Sequence, residues 1–471
     1  MNISLIPSPT KVNLISLNLA EYKTETVKIV DKSLKKEAYE LKVCDGEITV
    51  RASSDEGFFY AEKTLEQLRF QNGGLIPEIL IEDAPKYEYR SFMIDTCRHY
   101  FSTETIKKMI DLCACFKYNK FHWHISDDQG WRIQIDKYPQ LTEKGSVRHG
   151  TSLGKEVNDK DYGGYYTKEE IRQIIDYAKE RYIEVIPEID LPGHTSALLN
   201  AMPEMVCGNK KVHVKKTAGV FPDIVCAGEE KNYEIIFNIL DEICELFPCE
   251  YFHIGGDEAP KKQWQECPKC QAKIKAEGLV NEEELQGYFV NRISEYLRGK
   301  GKKVISWNES LNGGNLNDEG IIQFWLDKNK IYEKYPHKMI VSDFFSYYMD
   351  YPYEMTPLKK TYEYNEKIGD VMGVEAPIWT EYVETEDRMM YLCFPRYIAV
   401  AQTAWCENKP SYEKFESDLI NLMGMFETSK WADSKDWNRN FVAQKLGTAG
   451  FFINKLNKDF TKQLLGNLFN K

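Results

Sequence analysis

From Tyr89 onward the sequence alternates between short β-rich runs and amphipathic helical stretches, and that alternation leaves few folds open. The strand candidates are 90–95, 120–126, 182–190, 251–257, 304–308, 321–326, 339–344 and 372–379. Between them lie helical patterns. One runs from Ser102 to Cys115 with Ile106, Met109, Ile110 and Cys113 on one face, and another opens on the capping box Thr167-Lys-Glu-Glu170 and carries Ile171, Ile174, Ile175 and Ala178. Eight such units over some 340 residues predict a (β/α)8 (TIM) barrel with inserted loops.

A different pattern precedes it. Runs at 41–43 and 48–50 flank Asp45-Gly46, a strong hairpin signal, and Phe58, Ala61, Leu65 and Leu68 then recur at helical spacing behind Ser53 and Ser54. Residues 1–85 are therefore expected to form a small α+β domain, with Asp83-Ala-Pro85 as the link, and residues 86–430 the barrel. Residues 431–471, with Phe451, Phe452, Leu456 and Phe460, are expected to form a C-terminal helical or interaction segment.

At 471 residues and a net charge of −12, the chain is a poor partner for nucleic acid or an anionic membrane. No apolar run approaches the roughly 18 residues that span a bilayer, and Met1-Asn-Ile-Ser-Leu-Ile-Pro7 lacks a basic, then apolar, leader. A cytoplasmic location is the expectation, as is a neutral ligand. The twelve cysteines are scattered, and most are expected to be reduced core thiols. Cys267-Pro-Lys-Cys270 has a metal-like spacing, but a structural zinc needs four ligands, and only Cys207, Cys226 or a nearby histidine could complete the set. No metal and no cofactor is expected.

In a barrel of this kind the site lies at the C-terminal strand ends. Here those ends carry Asp95-Thr-Cys-Arg-His99, His122-Trp-His-Ile-Ser-Asp-Asp128, Pro187-Glu-Ile-Asp-Leu-Pro-Gly-His194, His253-Ile-Gly-Gly-Asp-Glu258, Trp307, Trp325, Tyr348-Met-Asp350 and Trp379-Thr-Glu381. Tryptophan faces beside carboxylates suit a sugar, which presents apolar C–H faces rimmed by hydroxyls. Glycosidic cleavage needs an acid for the leaving oxygen and a second group for the oxocarbenium ion. Asp257 and Glu258 are adjacent, which is poor geometry for straddling a ring. If Glu258 is the acid, the nucleophile comes from elsewhere. A 2-acetamido group on the substrate is one source, with Asp257 holding its N–H.

These ordered motifs resemble the family 20 glycoside hydrolases, the β-N-acetylhexosaminidases, over residues 1–430. The resemblance implies a barrel behind a small α/β domain and retaining, substrate-assisted hydrolysis of a terminal β-linked N-acetylglucosamine or N-acetylgalactosamine. It implies Glu258 as general acid and base, Asp257 orienting the acetamide, and Tyr348 donating to its carbonyl. Trp307 and Trp325 would wall the acetamide, and Trp379 would floor the ring. Arg90, Asp350 and Glu381 would hold hydroxyls, Asp190 with His194 would form a dyad near Glu258, and Asp127 or, as placed here, Asp128 would join the pocket. Between Asp350 and Trp379 no further tryptophan occurs, and Tyr362 is the nearest aromatic candidate for another wall. Loops 136–166 and 196–230 are expected to shape the aglycone side, and the last helices could be buried in a homodimer. The rival readings are a metal-dependent barrel hydrolase using His122, His124, Asp190, His194 and Asp257, and a catalytically inactive sugar-binding barrel.

Overall fold

A computed structural model describes residues 3–438 apart from 23–24, 155, 318, 327–330, 335–336 and 366–367. The expected segment around Phe451 to Phe460 lies outside the described residues. The N-terminal unit is a sheet of β1 (Lys11–Ala20), β2 (Val27–Val30), β3 (Tyr39–Cys44), β4 (Glu47–Ala52) and β5 (Ile76–Asp83) in the order β1-β5-β3-β4-β2. Asp45 and Gly46 both adopt positive φ, 53° and 81°, as the two-residue hairpin between β3 and β4 requires. The helix α1 (Asp55–Gln71) lays Phe58, Ala61, Leu65 and Leu68 against Leu41, Val43, Ile48 and Val50, closing one apolar core.

The second unit is a closed barrel of eight parallel strands: β6 (Tyr89–Asp95), β7 (Lys120–His124), β8 (Glu184–Glu188), β9 (Tyr251–His253), β10 (Lys303–Trp307), β11 (Ile321–Phe324), β12 (Lys338–Val341) and β13 (Asp370–Ile378). Each strand pairs with its neighbour in sequence and β13 closes on β6. The fold is thus a (β/α)8 barrel behind a small α+β domain. Helix α2 (Thr103–Cys115) begins at Ser102, whose side chain accepts from the Thr105 amide, and α3 (Lys168–Lys179) carries the complete Thr167/Glu170 capping box. Helices α4 (Glu230–Leu246), α5 (Pro268–Ala276), α6 (Glu282–Gly299) and α7 (Arg396–Trp405) follow.

Inside the barrel, Tyr89, Ile186, Tyr251, Ile305, Ile321, Ile340 and Met372 form an apolar floor. Above it the interior turns polar. On β7, Phe121 and Trp123 face the helices while His122 and His124 face inward, as period-two alternation dictates.

The two units share a buried polar seam at the N-terminal end of the barrel, and here Arg90 departs from expectation. It is the second residue of β6, at the end away from the site. Its Nη1 and Nη2 donate to the two Glu37 oxygens at 3.0 Å each, Nη2 also reaches the Tyr60 hydroxyl at 3.1 Å, and Nε donates to the Lys117 carbonyl at 2.8 Å. Arg90 is a docking residue between domains, not a ligand residue. Lys117 repeats the arrangement on Asp83 at 3.0 Å. The chain start is tied in as well, since Ser4 donates to Asp418 at 2.8 Å and the Ser8 amide to Gln402 at 2.9 Å. At the other end, Trp431 stacks on Phe394 at 4.7 Å and Trp437 is buried, so residues 431–438 pack with the barrel core rather than apart from it.

Candidate active site

The Gly255-Gly256 pair explains how β9 delivers two acids to the barrel mouth. Both glycines have positive φ, and a Cβ on Gly255 would sit 1.8 Å from Asp190 Oδ1. The Gly256 amide donates to that same oxygen at 3.2 Å. The turn ends on Glu258 with φ of 44°, a conformation uncommon outside glycine and one often found at functional positions. Asp257 is 13% exposed through its side chain and Glu258 28%. His194, itself at φ 52°, bridges them: its Nε2 lies 3.8 Å from Asp257 Oδ2 and 3.5 Å from Glu258 Oε2.

The support behind His194 differs from the expected dyad. Its Nδ1 faces Asp127 at 3.3 Å and Asp128 at 3.4 Å, whereas Asp190 accepts from the Gly256 amide. Asp190 holds the glycine turn, and Asp127 completes the dyad. Asp128 is also reassigned, because its Oδ1 accepts from the Ser196 amide at 2.9 Å and from the Ser196 hydroxyl. It caps the short helix Ser196–Ala201 from behind His194.

Arg98, quoted within a motif but given no role, is the arginine at the mouth of the pocket. Its Nη2 pairs with Asp127 at 2.8 Å, Nη1 with Asp95 at 3.3 Å, Nε donates to Gln129 at 2.9 Å, and the guanidinium lies 5.1 Å from the Trp379 ring centroid. Asp95 also accepts from the Thr380 amide and hydroxyl at 3.0 Å each, which locks the β6 end to the β13 end. Position along the strand could have chosen between the arginines, since Arg90 lies at the N-terminal end of β6 and Arg98 follows its C-terminal end.

The aromatic residues converge as expected of a walled pocket, with additions. Trp379 lies 6.0 Å from Trp307 and 6.3 Å from Tyr348. Trp325 stacks on Tyr348 at 6.1 Å, and Phe344 and Tyr351 pack against Tyr348 at 5.3 and 6.3 Å. Tyr351, not Tyr362, supplies the further aromatic ring. Tyr362 stacks on Phe415 at 4.4 Å and donates to the Pro410 carbonyl, away from this cluster. Trp307 is anchored by its indole N–H on Glu188 at 2.8 Å, and Trp325 by Glu309 at 2.9 and 3.0 Å. Glu309 carried no sequence signal of its own. Asp350 is buried, and Asp350, Glu381 and Glu258 all act electrostatically on Tyr351. Among the described residues, Asp257 Oδ1 and Glu381 Oε2 are buried without a protein partner, so each has capacity for a ligand N–H or O–H.

A buried charge network underlies this pocket. Glu188, at the end of β8, faces His122 Nε2 at 3.1 Å, His253 Nδ1 at 2.9 Å and His124 Nδ1. His122 Nδ1 faces Glu375 at 2.9 Å and His124 Nε2 faces Asp127 at 2.9 Å. The histidine pair that suggested a catalytic metal thus has its ring nitrogens engaged by carboxylates. Burial opposes charge on His122, but Glu375 and Glu188 prevail and raise it to about 9. Burial likewise opposes ionisation of Asp127, and Arg98 with His194 overrides it, holding Asp127 well below the carboxylate range. Burial opposes charge on His194, but Asp127, Asp128 and Glu258 together push it well above its ordinary value. Asp257 moves in the opposite direction from Asp127. Burial first, opposed by His194 and reinforced by Glu258 and Glu188, raises it to about 6. Burial and then the Asp257 charge also push Asp190 well above the usual carboxylate range.

The chain matches the family described as glycosyl hydrolase family 20, catalytic domain, over residues 87–408, and glycosyl hydrolase family 20, domain 2, over residues 2–84. It is 38% identical over 403 residues to a β-hexosaminidase of Porphyromonas gingivalis, covering 79% of this chain and 51% of that protein. It is 30% identical over 455 residues to a β-hexosaminidase of Akkermansia muciniphila, covering 89% of each. The chain therefore spans about half the length of the first relative and most of the second. Among solved structures, the β-N-acetylhexosaminidase from Bacteroides fragilis superposes with a TM-score of 0.80 at 30% identity, over 93% of this chain and 99% of that one. No helix among the described residues is long and apolar enough to cross a membrane. Both domains are matched in the order in which the sheet and the barrel occur, and this chain belongs to glycosyl hydrolase family 20.

Proposed function

We propose that the protein is an exo-acting β-N-acetylhexosaminidase that releases a terminal β-linked N-acetylhexosamine with retention, using the substrate's acetamide as nucleophile. The observation that carries this reading is the pair Asp257 and Glu258, delivered by one turn, with the Trp307, Trp325, Tyr348 and Trp379 cluster next to Asp257. Two neighbouring acids act from the same side and do not straddle the anomeric carbon as an acid and an enzymic nucleophile would.

Glu258, the more exposed acid, protonates the leaving oxygen and afterwards takes a proton from the attacking water. Asp257 accepts the acetamide N–H, which turns the carbonyl oxygen toward the anomeric carbon and stabilises the cation of the oxazolinium ring. Tyr348, kept a neutral phenol by burial and by Asp257, can donate to the carbonyl. Arg98, Asp350 and Glu381 suit the ring hydroxyls, and Trp379 the apolar sugar face. His194, whose pKa Asp127 helps to raise, lies within reach of both acids and can steady the proton inventory between them.

The test is hydrolysis of a p-nitrophenyl β-N-acetylglucosaminide beside the corresponding plain glucoside. Activity confined to the acetamido sugar, with tight inhibition by a thiazoline fused across C1 and C2, is expected. Equal rates on both sugars would sink the acetamide mechanism, and no hydrolysis of any hexosaminide would sink the activity.

A further inference from the structure

Beyond the barrel mouth, four buried cysteines from three separate segments bring their sulfurs together. Cys207 follows the short helix Ser196–Ala201, Cys226 precedes α4, and Cys267 and Cys270 open α5. Their exposures are 3%, 3%, 5% and 0%. Sulfur separations are 3.8 Å for Cys207–Cys270, 3.7 Å for Cys226–Cys267 and 3.7 Å for Cys226–Cys270, and all four sulfurs lie within 4.8 Å of one another. A tetrahedral metal with metal–sulfur bonds of about 2.3 Å has sulfur–sulfur edges of about 3.8 Å. The three separations of 3.7–3.8 Å match that figure.

We infer that these four cysteines form a structural zinc site of the tetrathiolate type. Separations of 3.7 and 3.8 Å are well beyond a disulfide bond of about 2.05 Å, and all four thiols are free. An all-sulfur set selects a soft or borderline-soft cation, and four protein ligands leave no open position for catalysis. The surroundings are built around the sulfurs. The Cys226 amide donates to the Met205 carbonyl at 2.8 Å, and the Asn232 side chain donates to the Met205 and Cys226 carbonyls at 3.1 and 3.0 Å. A Cβ on Gly228 would fall 2.2 Å from the Lys269 carbonyl carbon, so only glycine lets the Cys226 segment lie against the Cys267–Cys270 turn.

The site ties together the two loops that carry the acids' surroundings. The Val225 amide donates to the Pro192 carbonyl at 3.2 Å, two residues before His194, and Trp264 donates to the Val225 carbonyl at 2.8 Å from the short helix Lys262–Glu266 that follows Glu258. Zinc at the four sulfurs would hold the long β8–α4 connection against the β9–α5 connection.

Elemental analysis of the whole chain, purified without a metal-affinity tag or chelator, should find about one zinc per chain. Cys207→Ser with Cys270→Ser should lose it, while Cys244→Ser, outside the cluster, keeps it. On the unaltered protein, a mercurial titrated against a zinc-binding dye should release one zinc as these four thiols react, which keeps the test valid if the double variant fails to fold. Metal-free protein with four freely alkylated thiols at these positions, an intact mass lower by the hydrogens of two disulfides, or iron in place of zinc would each overturn the assignment.

Discussion

In the proposed mechanism Asp257 and Glu258 divide the chemistry, and their surroundings differ accordingly. Asp257 is raised to about 6, chiefly by burial, and only its ionised form supplies the negative charge that the proposed oxazolinium cation needs. The free-enzyme profile of kcat/KM should therefore fall as pH drops through about 6. In Asp257→Asn, activity should be low throughout and that acid limb absent. An unchanged limb in the variant would assign it to another group. Glu258→Gln should lower kcat by roughly 10²- to 10⁴-fold while retaining ligand affinity, read by steady-state kinetics beside calorimetric binding of the product sugar. Gly255 has a purely steric role. Gly255→Ala would drive a Cβ into Asp190, and the expected result is loss of activity from a displaced turn.

At the level of elements, the inward residues of β7, β8, β9 and β13 form one charge network under the pocket. His122 is raised to about 9 by Glu375 and Glu188 against burial. Its folded value lies above the unfolded one, so its stabilisation is complete below about pH 6.5 and is lost as pH rises through about 9. The Tm should fall over that window, and His122→Gln should be less stable with a flatter alkaline limb. A wild-type Tm independent of pH between 7 and 10 would contradict the network. Glu188→Gln strands charge on the histidines around it and should cost about 3–5 kcal/mol, measured by denaturant unfolding. This network was only partly legible. Alternation on β7 predicts that His122 and His124 share a face, but their partners Glu188 and Glu375 lie far along the chain and meet them only through barrel closure.

For the molecule as a whole, Arg90 with Glu37 joins the two domains by a buried bidentate pair. Arg90→Ala should destabilise the protein by about 3–5 kcal/mol, because it leaves Glu37 buried and unpaired. KM for the sugar, measured where the variant is folded, should stay within about twofold; a KM rise of tenfold or more would return Arg90 to the ligand site. Eight strands, their order of occurrence, the Asp45-Gly46 hairpin and the capped helices could all be read locally, because turn chemistry and periodicity depend on neighbours in sequence. So could the acids at the end of the fourth strand and the tryptophans. The choice of Asp127 over Asp190 and of Tyr351 over Tyr362 could not, and Cys207 and Cys226 stand only as candidates beside a histidine until the fold brings both to Cys267 and Cys270. Each of those turns on which side chains from distant segments share a few ångströms of space, and that is decided by closure of the barrel and packing of its loops rather than by any local pattern.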